Sequence, residues 1–286
     1  MYPVVDIHCH IYPAAIAEKA TQSIADFYRS QYEKYLYQPA NVTGLPQVLM
    51  RERVGLSVIH SVATVPHQVQ HINEFLARTV QESGGAFLAF GTLNPFRSPA
   101  DLDEDIRHLL DLGLHGIKLH PDMQKFALDS PESFQLFDRC AGKLPILIHT
   151  GDRRFHYSNP AQLKPVLERY PEATIIGAHM GGYTCWEEAT HELAGKYPNL
   201  YVDISSTMFA VAPNRVVELI RAYGKNRVLF GTDFPMWHPQ EELKRFLALP
   251  LTESERRAIL YQNACRLLGI RPTELKTAQP HPGISA

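Results

Sequence analysis

The segment Val4-Val5-Asp6-Ile7-His8-Cys9-His10 decides the fold, because it is an apolar run that ends abruptly in two metal-binding side chains. Four further runs end the same way: Ile117-Lys118-Leu119-His120, Ile146-Leu147-Ile148-His149, Ile175-Ile176-Gly177-Ala178-His179 and Val228-Leu229-Phe230-Gly231-Thr232-Asp233. Short β-branched runs bounded by Gly and Pro read as buried parallel strands. The shared ending therefore sets imidazoles and a carboxylate along one C-terminal edge, which is where a (β/α)8 barrel keeps its chemistry.

Eight strands are expected in order: Val4–His10, His60–Val65, Ala86–Leu93, Gly116–His120, Pro145–His149, Thr174–His179, Leu200–Ile204 and Val228–Asp233. Amphipathic helical stretches alternate with them, such as Pro66–Glu82 and Pro99–Leu112. Pro131, Pro160, Pro213 and Pro239 mark helix starts, where a missing N–H costs nothing. The pattern predicts an α/β fold, a single (β/α)8 TIM barrel over residues 1–270. Its one irregularity is a long insertion after the first strand, residues 11–53, containing Phe27, Tyr28, Tyr32, Tyr35 and Tyr37. This segment is expected either to cover the pocket as a lid or to pack on the barrel exterior or a second subunit. Thr252–Leu268 reads as a last helix closed at Gly269, and residues 271–286 as a mobile tail.

Composition narrows the function classes. The 286 residues are 45% hydrophobic and 20% charged with a formal charge of -2, which gives no general reason to expect nucleic acid or an anionic membrane as partner. The N-terminus enters a strand at once, with no signal-peptide pattern, so a soluble cytoplasmic protein acting on a small molecule is expected, with a homodimer left open. The four cysteines, without a C-x-x-C pair, read as reduced thiols.

His8 and His10, two apart on a strand, emerge on one face and can share a metal, while Cys9 points the other way. His149 meets the turn signal Thr150-Gly151, and His179 sits among glycines that let backbone pass close to a ligand. Asp233 at the end of an apolar strand needs a partner, since burying a carboxylate unpaired costs several kcal/mol. Lys118 and His120 share a face on the fourth strand, where His120 could bind substrate or simply hydrogen-bond nearby backbone. Arg153 and Arg154, after the fifth, could hold a substrate carboxylate; a solvent-exposed pair is the plainer reading of each.

In order, D-I-H-C-H, G-I-K-L-H-P, I-H-T-G, G-A-H-M-G-G, G-T-D-F-P and Asn263-Ala264-Cys265-Arg266-Leu267-Leu268 make the chain resemble the amidohydrolase superfamily, in its amidohydrolase-related branch. The resemblance implies His8, His10, His149 and Asp233 as metal ligands, His179 as ligand or acid/base, and Asp233 as a proton acceptor as well. It also implies that Lys118 could be a carboxylated bridge between two metals; a direct cationic contact to substrate or a structural ion pair are the other readings. Three imidazoles and a carboxylate suit zinc, with manganese or iron also fitting. The leading expectation is a metal-dependent hydrolase of a lactone, ester or amide that carries a carboxylate, using metal-activated water with Asp233 and His179 as catalytic groups. A nonoxidative decarboxylase is the alternative, and a non-catalytic metal-binding barrel a remote one.

Overall fold

A computed structural model describes residues 2–34 and 42–275. Eight strands form one parallel sheet in sequential order: β1 Val5–His10, β2 Leu56–His60, β3 Phe87–Thr92, β4 Gly116–Leu119, β5 Ile146–Ile148, β6 Ile175–Gly177, β7 Leu200–Asp203 and β8 Val228–Leu229. The sheet closes on itself between β1 and the residues after β8. Ile7 N donates to the Phe230 carbonyl at 3.0 Å, Asp233 N to His8 O at 2.8 Å, and His10 N to Phe234 O at 2.6 Å. Closure puts the end of the first strand beside that of the last, so His8 and Asp233 meet although more than two hundred residues separate them.

Helices α1 Ala17–Lys34 and α2 Pro46–Glu52 fill the connection between β1 and β2, and α3 Val69–Glu82 follows β2. The barrel continues with α4 Pro99–Asp111, α5 Pro121–Gln124, α6 Pro131–Cys140, α7 Pro160–Arg169, α8 Trp186–Leu193, α9 Pro213–Tyr223 and α10 Pro239–Leu247. All four expected helix-opening prolines occupy first turns. The last helical segment runs as α11 Glu253–Arg257, a π-helical turn Ala258–Gln262 and α12 Asn263–Leu268, ending where Gly269 turns left-handed at φ 69°. Thr252 caps α11, with Glu255 returning the bond in a capping box.

The second strand corrects the sequence reading. It ends at His60 instead of starting there, and Val62-Ala63-Thr64-Val65 runs as the loop into the turn at Pro66. Two features concealed it: Ser57 is fully buried inside the strand, and Gly55 precedes it. A Cβ at Gly55 would stand 2.2 Å from the Val4 carbonyl oxygen, so only glycine lets the chain enter alongside β1. Residues 35–41 of the insertion, with Tyr35 and Tyr37, and residues 276–286 of the expected tail lie outside the described residues; residues 272–274 form a single 3-10 turn. Among the described residues no helix is long and apolar enough to cross a membrane.

Candidate active site

His8 and His10 project from β1 across a bulge: Asp6 pairs with Ser57 but Cys9 with Ile59, one residue more on β1 than on β2. Nδ1 of His8 faces Asp203 Oδ2 at 2.9 Å. A carboxylate can only accept, so the ring proton sits on Nδ1 and Nε2 presents its lone pair. That lone pair lies 3.2 Å from His10 Nε2 and 3.3 Å from Asp233 Oδ1, and the last two atoms are 3.4 Å apart. Donors held about 2.0–2.2 Å from one tetrahedral ion are separated by about 3.3–3.6 Å, so these three atoms suit a common divalent ion.

Asp233 reaches this position through a left-handed backbone, φ 61°, and its other oxygen accepts from Ser206 Oγ at 2.6 Å. Ser206 in turn accepts from Trp237 Nε1 at 2.8 Å. Burial opposes ionisation of Asp233, but the imidazoles of His8, His10 and His179 outweigh it and hold the carboxyl below its ordinary range. Asp6, on the same strand, does not join the cluster. Its carboxylate accepts from Thr232 N and Thr232 Oγ1 and so ties β1 to the strand closing the barrel.

Lys118 is fully buried with Nζ 3.0 Å from His8 Nε2, and burial lowers its pKa to about 8 against the pull of Asp233 and Asp203. His179 follows β6 in a left-handed conformation. Its Nδ1 lies 3.1 Å from the Ser205 carbonyl, which fixes the proton there, and its Nε2 faces His149 Nδ1 at 3.1 Å. Burial lowers the His179 pKa to about 4 and pushes those of His8, His10, His60 and His120 down as well. His149 stacks on His120, centroids 4.0 Å apart and planes within 5°. Its Nε2 lies 3.2 Å from Asp122 Oδ2 without a well-formed hydrogen bond. Donor atoms therefore fall into two sets that share His8, His8/His10/His60 and His8/His179/Asp233, and a separate one, His120/Asp122/His149.

His10, His120, Asp122, His149, His179 and Asp233 line the floor of a cavity of about 720 Å³ whose outer wall includes α1. Tyr28 reaches in from that helix, its hydroxyl 3.0 Å from His120 Nε2. At Gly151, φ 83°, a Cβ would lie 2.4 Å from Tyr183 N; this close crossing of two loops sets the Tyr183 ring against His149 and His179. Arg153 and Arg154 are not among the lining residues. Arg153 is exposed, whereas Arg154 pairs with the fully buried Asp152, donates to the Phe27 carbonyl at 2.5 Å and stacks on Phe27 and Tyr28.

Four participants escaped the sequence reading. Asp203 ends the apolar run Leu200-Tyr201-Val202 just as the other site residues end theirs, but extending the strand to Ile204 hid it. His60 ends its strand where the sequence reading starts it; its ring is buried 4.3 Å from that of His10, with no hydrogen-bond partner for either nitrogen among the described residues. Asp122 and Ser205 carry no sequence signal beyond following a strand.

Known proteins share this fold. The family model described as Amidohydrolase matches residues 5–270. A 2-amino-3-carboxymuconate-6-semialdehyde decarboxylase from Dictyostelium discoideum is 24% identical, over 80% of this chain and 76% of its own. A TIM-barrel protein of Bordetella bronchiseptica superposes with a TM-score of 0.76 at 19% identity, covering 93% of this chain and 98% of that one. A dihydroxybenzoic acid decarboxylase from Polaromonas sp. JS666, solved with manganese and 2-nitroresorcinol, gives 0.65 at 16%, covering 94% and 97%. The Dictyostelium relative and the Polaromonas protein are both named as decarboxylases, which overturns the leading expectation of a lactone, ester or amide hydrolase. The error has a physical source: the same ligands can activate water or bind a carboxylate, and no strand-end motif distinguishes the two.

Proposed function

The chain belongs to the amidohydrolase family, and from that premise we propose that it is a metal-dependent nonoxidative decarboxylase of an unsaturated or aromatic acid with an oxygen beside the carboxylate. The observation that carries this reading is the convergence of His8 Nε2, His10 Nε2 and Asp233 Oδ1 within 3.4 Å, with His10 and Asp233 lining a cavity, together with a relative named as a decarboxylase.

His8, His10 and Asp233 would hold a divalent ion, with His149 as a further donor. Zinc, manganese and iron all accept such a nitrogen-rich set. When bound, the ion supplies a Lewis acid that anchors the carboxylate and its neighbouring oxygen and polarises the bond to be broken. The protein's own part is proton delivery. His179, held at Nδ1 by Ser205, gives a proton from Nε2 to the carbon bearing the carboxylate. The carbon–carbon bond then breaks, its electron pair stays on the substrate and carbon dioxide leaves, with no change of oxidation state elsewhere. Burial keeps His179 neutral in the free enzyme, so it takes up its proton as the negatively charged substrate arrives. Asp233 stays ionised as a ligand. Lys118, beside His8, balances the carboxylates of Asp203 and Asp233.

The test incubates the metal-loaded enzyme with hydroxybenzoic and unsaturated carboxylic acids in deuterium oxide. Stoichiometric carbon dioxide and one deuterium at the vacated carbon are expected. Absence of carbon dioxide from every acid, with metal content verified, would overturn the reading.

A further inference from the structure

The cavity over the site is graded from polar and buried to apolar and open. At its floor His10, His149, His179 and Asp233 are each less than a tenth exposed. Further out, the walls are two helical stripes, Ala20 and Ile24 of α1 continuing from Ile16, and Ile72 and Phe75 of α3. At the rim the lining residues Ser23, His67 and His71 are exposed.

The stripe on α1 is unusual for an amphipathic helix. Its buried face is Ala17, Thr21, Ala25 and Tyr28, all 6% exposed or less. The neighbouring stripe, Ile16, Ala20 and Ile24 at the same four-residue spacing, lines the cavity instead, with Ile16 49% exposed. Apolar residues at helical spacing ordinarily close against protein; Ile24, Ile72 and Phe75 do so only in part, and their remaining surface bounds a channel that runs down to the imidazoles. At about 720 Å³ the cavity lies in the range of about 300–1,000 Å³ that encloses drug-sized ligands, well beyond the needs of one ring with a carboxylate. Among the described residues no arginine and one exposed lysine, Lys125, line it, so its walls do not suit a second carboxylate.

We propose that the substrate is an amphiphile: its single carboxylate and adjacent oxygen sit at the floor, and an uncharged apolar extension of several carbons lies between Ile24 and the Ile72–Phe75 stripe. The head group rests on the decarboxylase reading; the tail rests on the cavity alone.

The test uses 2-hydroxybenzoic acids bearing straight alkyl chains from none to about eight carbons, and the matching alkylphenols as non-reacting probes. Binding of the phenols to the metal-loaded protein is measured by calorimetry, and turnover of the acids as kcat/KM. Each buried methylene is expected to tighten binding and raise kcat/KM by up to roughly fourfold until the channel is filled. Ala20→Trp is expected to abolish this dependence; Ile24→Asp serves if that variant does not fold. Length-independent binding in the parent would overturn the proposal whether or not carbon dioxide is released, and so would a folded variant with undiminished chain preference. Length-dependent binding of the phenols without carbon dioxide from any acid would support the channel while overturning the decarboxylase reading.

Discussion

Nε2 of His8 and Oδ1 of Asp233 lie 3.3 Å apart, and neither atom holds a proton for the other. The arrangement is set from behind. Asp203, at the end of β7, fixes the His8 proton on Nδ1 and accepts from Ser205 N at 3.0 Å and His179 N at 3.2 Å with its second oxygen. One buried carboxylate thus chooses the tautomer of one imidazole and places the backbone of another. Lys118 Nζ, 3.0 Å from His8 Nε2, is the donor facing that nitrogen; a bound divalent ion competes for the same lone pair.

Asp203→Ala is therefore expected to weaken divalent metal binding by about 10–100-fold, the usual cost of losing a partner behind a ligating imidazole. Competition with a chromophoric chelator measures it. Unchanged metal affinity in the folded variant would contradict the assigned role.

Tyr28 makes the contact between the insertion and the site chemistry, through its hydroxyl 3.0 Å from His120 Nε2. Tyr28→Phe keeps the ring that packs near Tyr183 and His149 and removes the hydroxyl that meets His120. The expected loss is up to about tenfold in kcat/KM, the worth of one hydrogen bond of about 0.5–1.5 kcal/mol. A loss of several hundredfold would assign Tyr28 a direct part in proton transfer.

Arg154 makes a different prediction from the one its position suggested. Its guanidinium is committed to Asp152 and to the Phe27 carbonyl, so it fastens α1 to the loop after β5. Arg154→Ala leaves the fully buried Asp152 carboxylate without its cation, keeping only the bond from the backbone N–H of residue 154. The expected destabilisation is about 3–5 kcal/mol, read by denaturant unfolding. Asp152→Asn in the same background should recover part of it, because the amide carries no charge to strand.

The barrel was legible because parallel strands buried on both faces must read as apolar runs, and because site residues punctuate those runs at one edge. His8, His10, His149, His179 and Asp233 could be picked out on that ground alone. Asp203 and His60 obeyed the same rule but were lost through strand ends misplaced by a few residues, which moves a side chain from the edge into the interior. The hydrolase expectation failed for another reason. Reaction type depends on what the cavity walls offer the substrate, and these walls include α1, inside a segment that reads only as an irregular insertion, and α3, whose sequence reads as an ordinary amphipathic helix.

The acid limb of stability should carry the signature of Glu255. This residue accepts from Arg221 Nε at 2.9 Å and from Thr252 N at 2.7 Å, and the Arg221 bond is the main reason its pKa lies low, at about 2. A carboxyl whose folded pKa is depressed contributes stability that is fully present above its unfolded pKa, about 4.3, and is lost as pH falls through the folded value. Glu255→Gln is thus expected to melt below the parent at pH 7, since it loses the charge that strengthens the Arg221 bond, while the amide oxygen can still accept from Thr252 N in the capping box. The gap should shrink between about pH 4.5 and 2, where the parent's carboxyl becomes protonated and resembles the amide. Melting curves of both proteins across that range decide the matter: a gap that stays constant or widens on acidification would mean that the Glu255 charge contributes nothing to the fold.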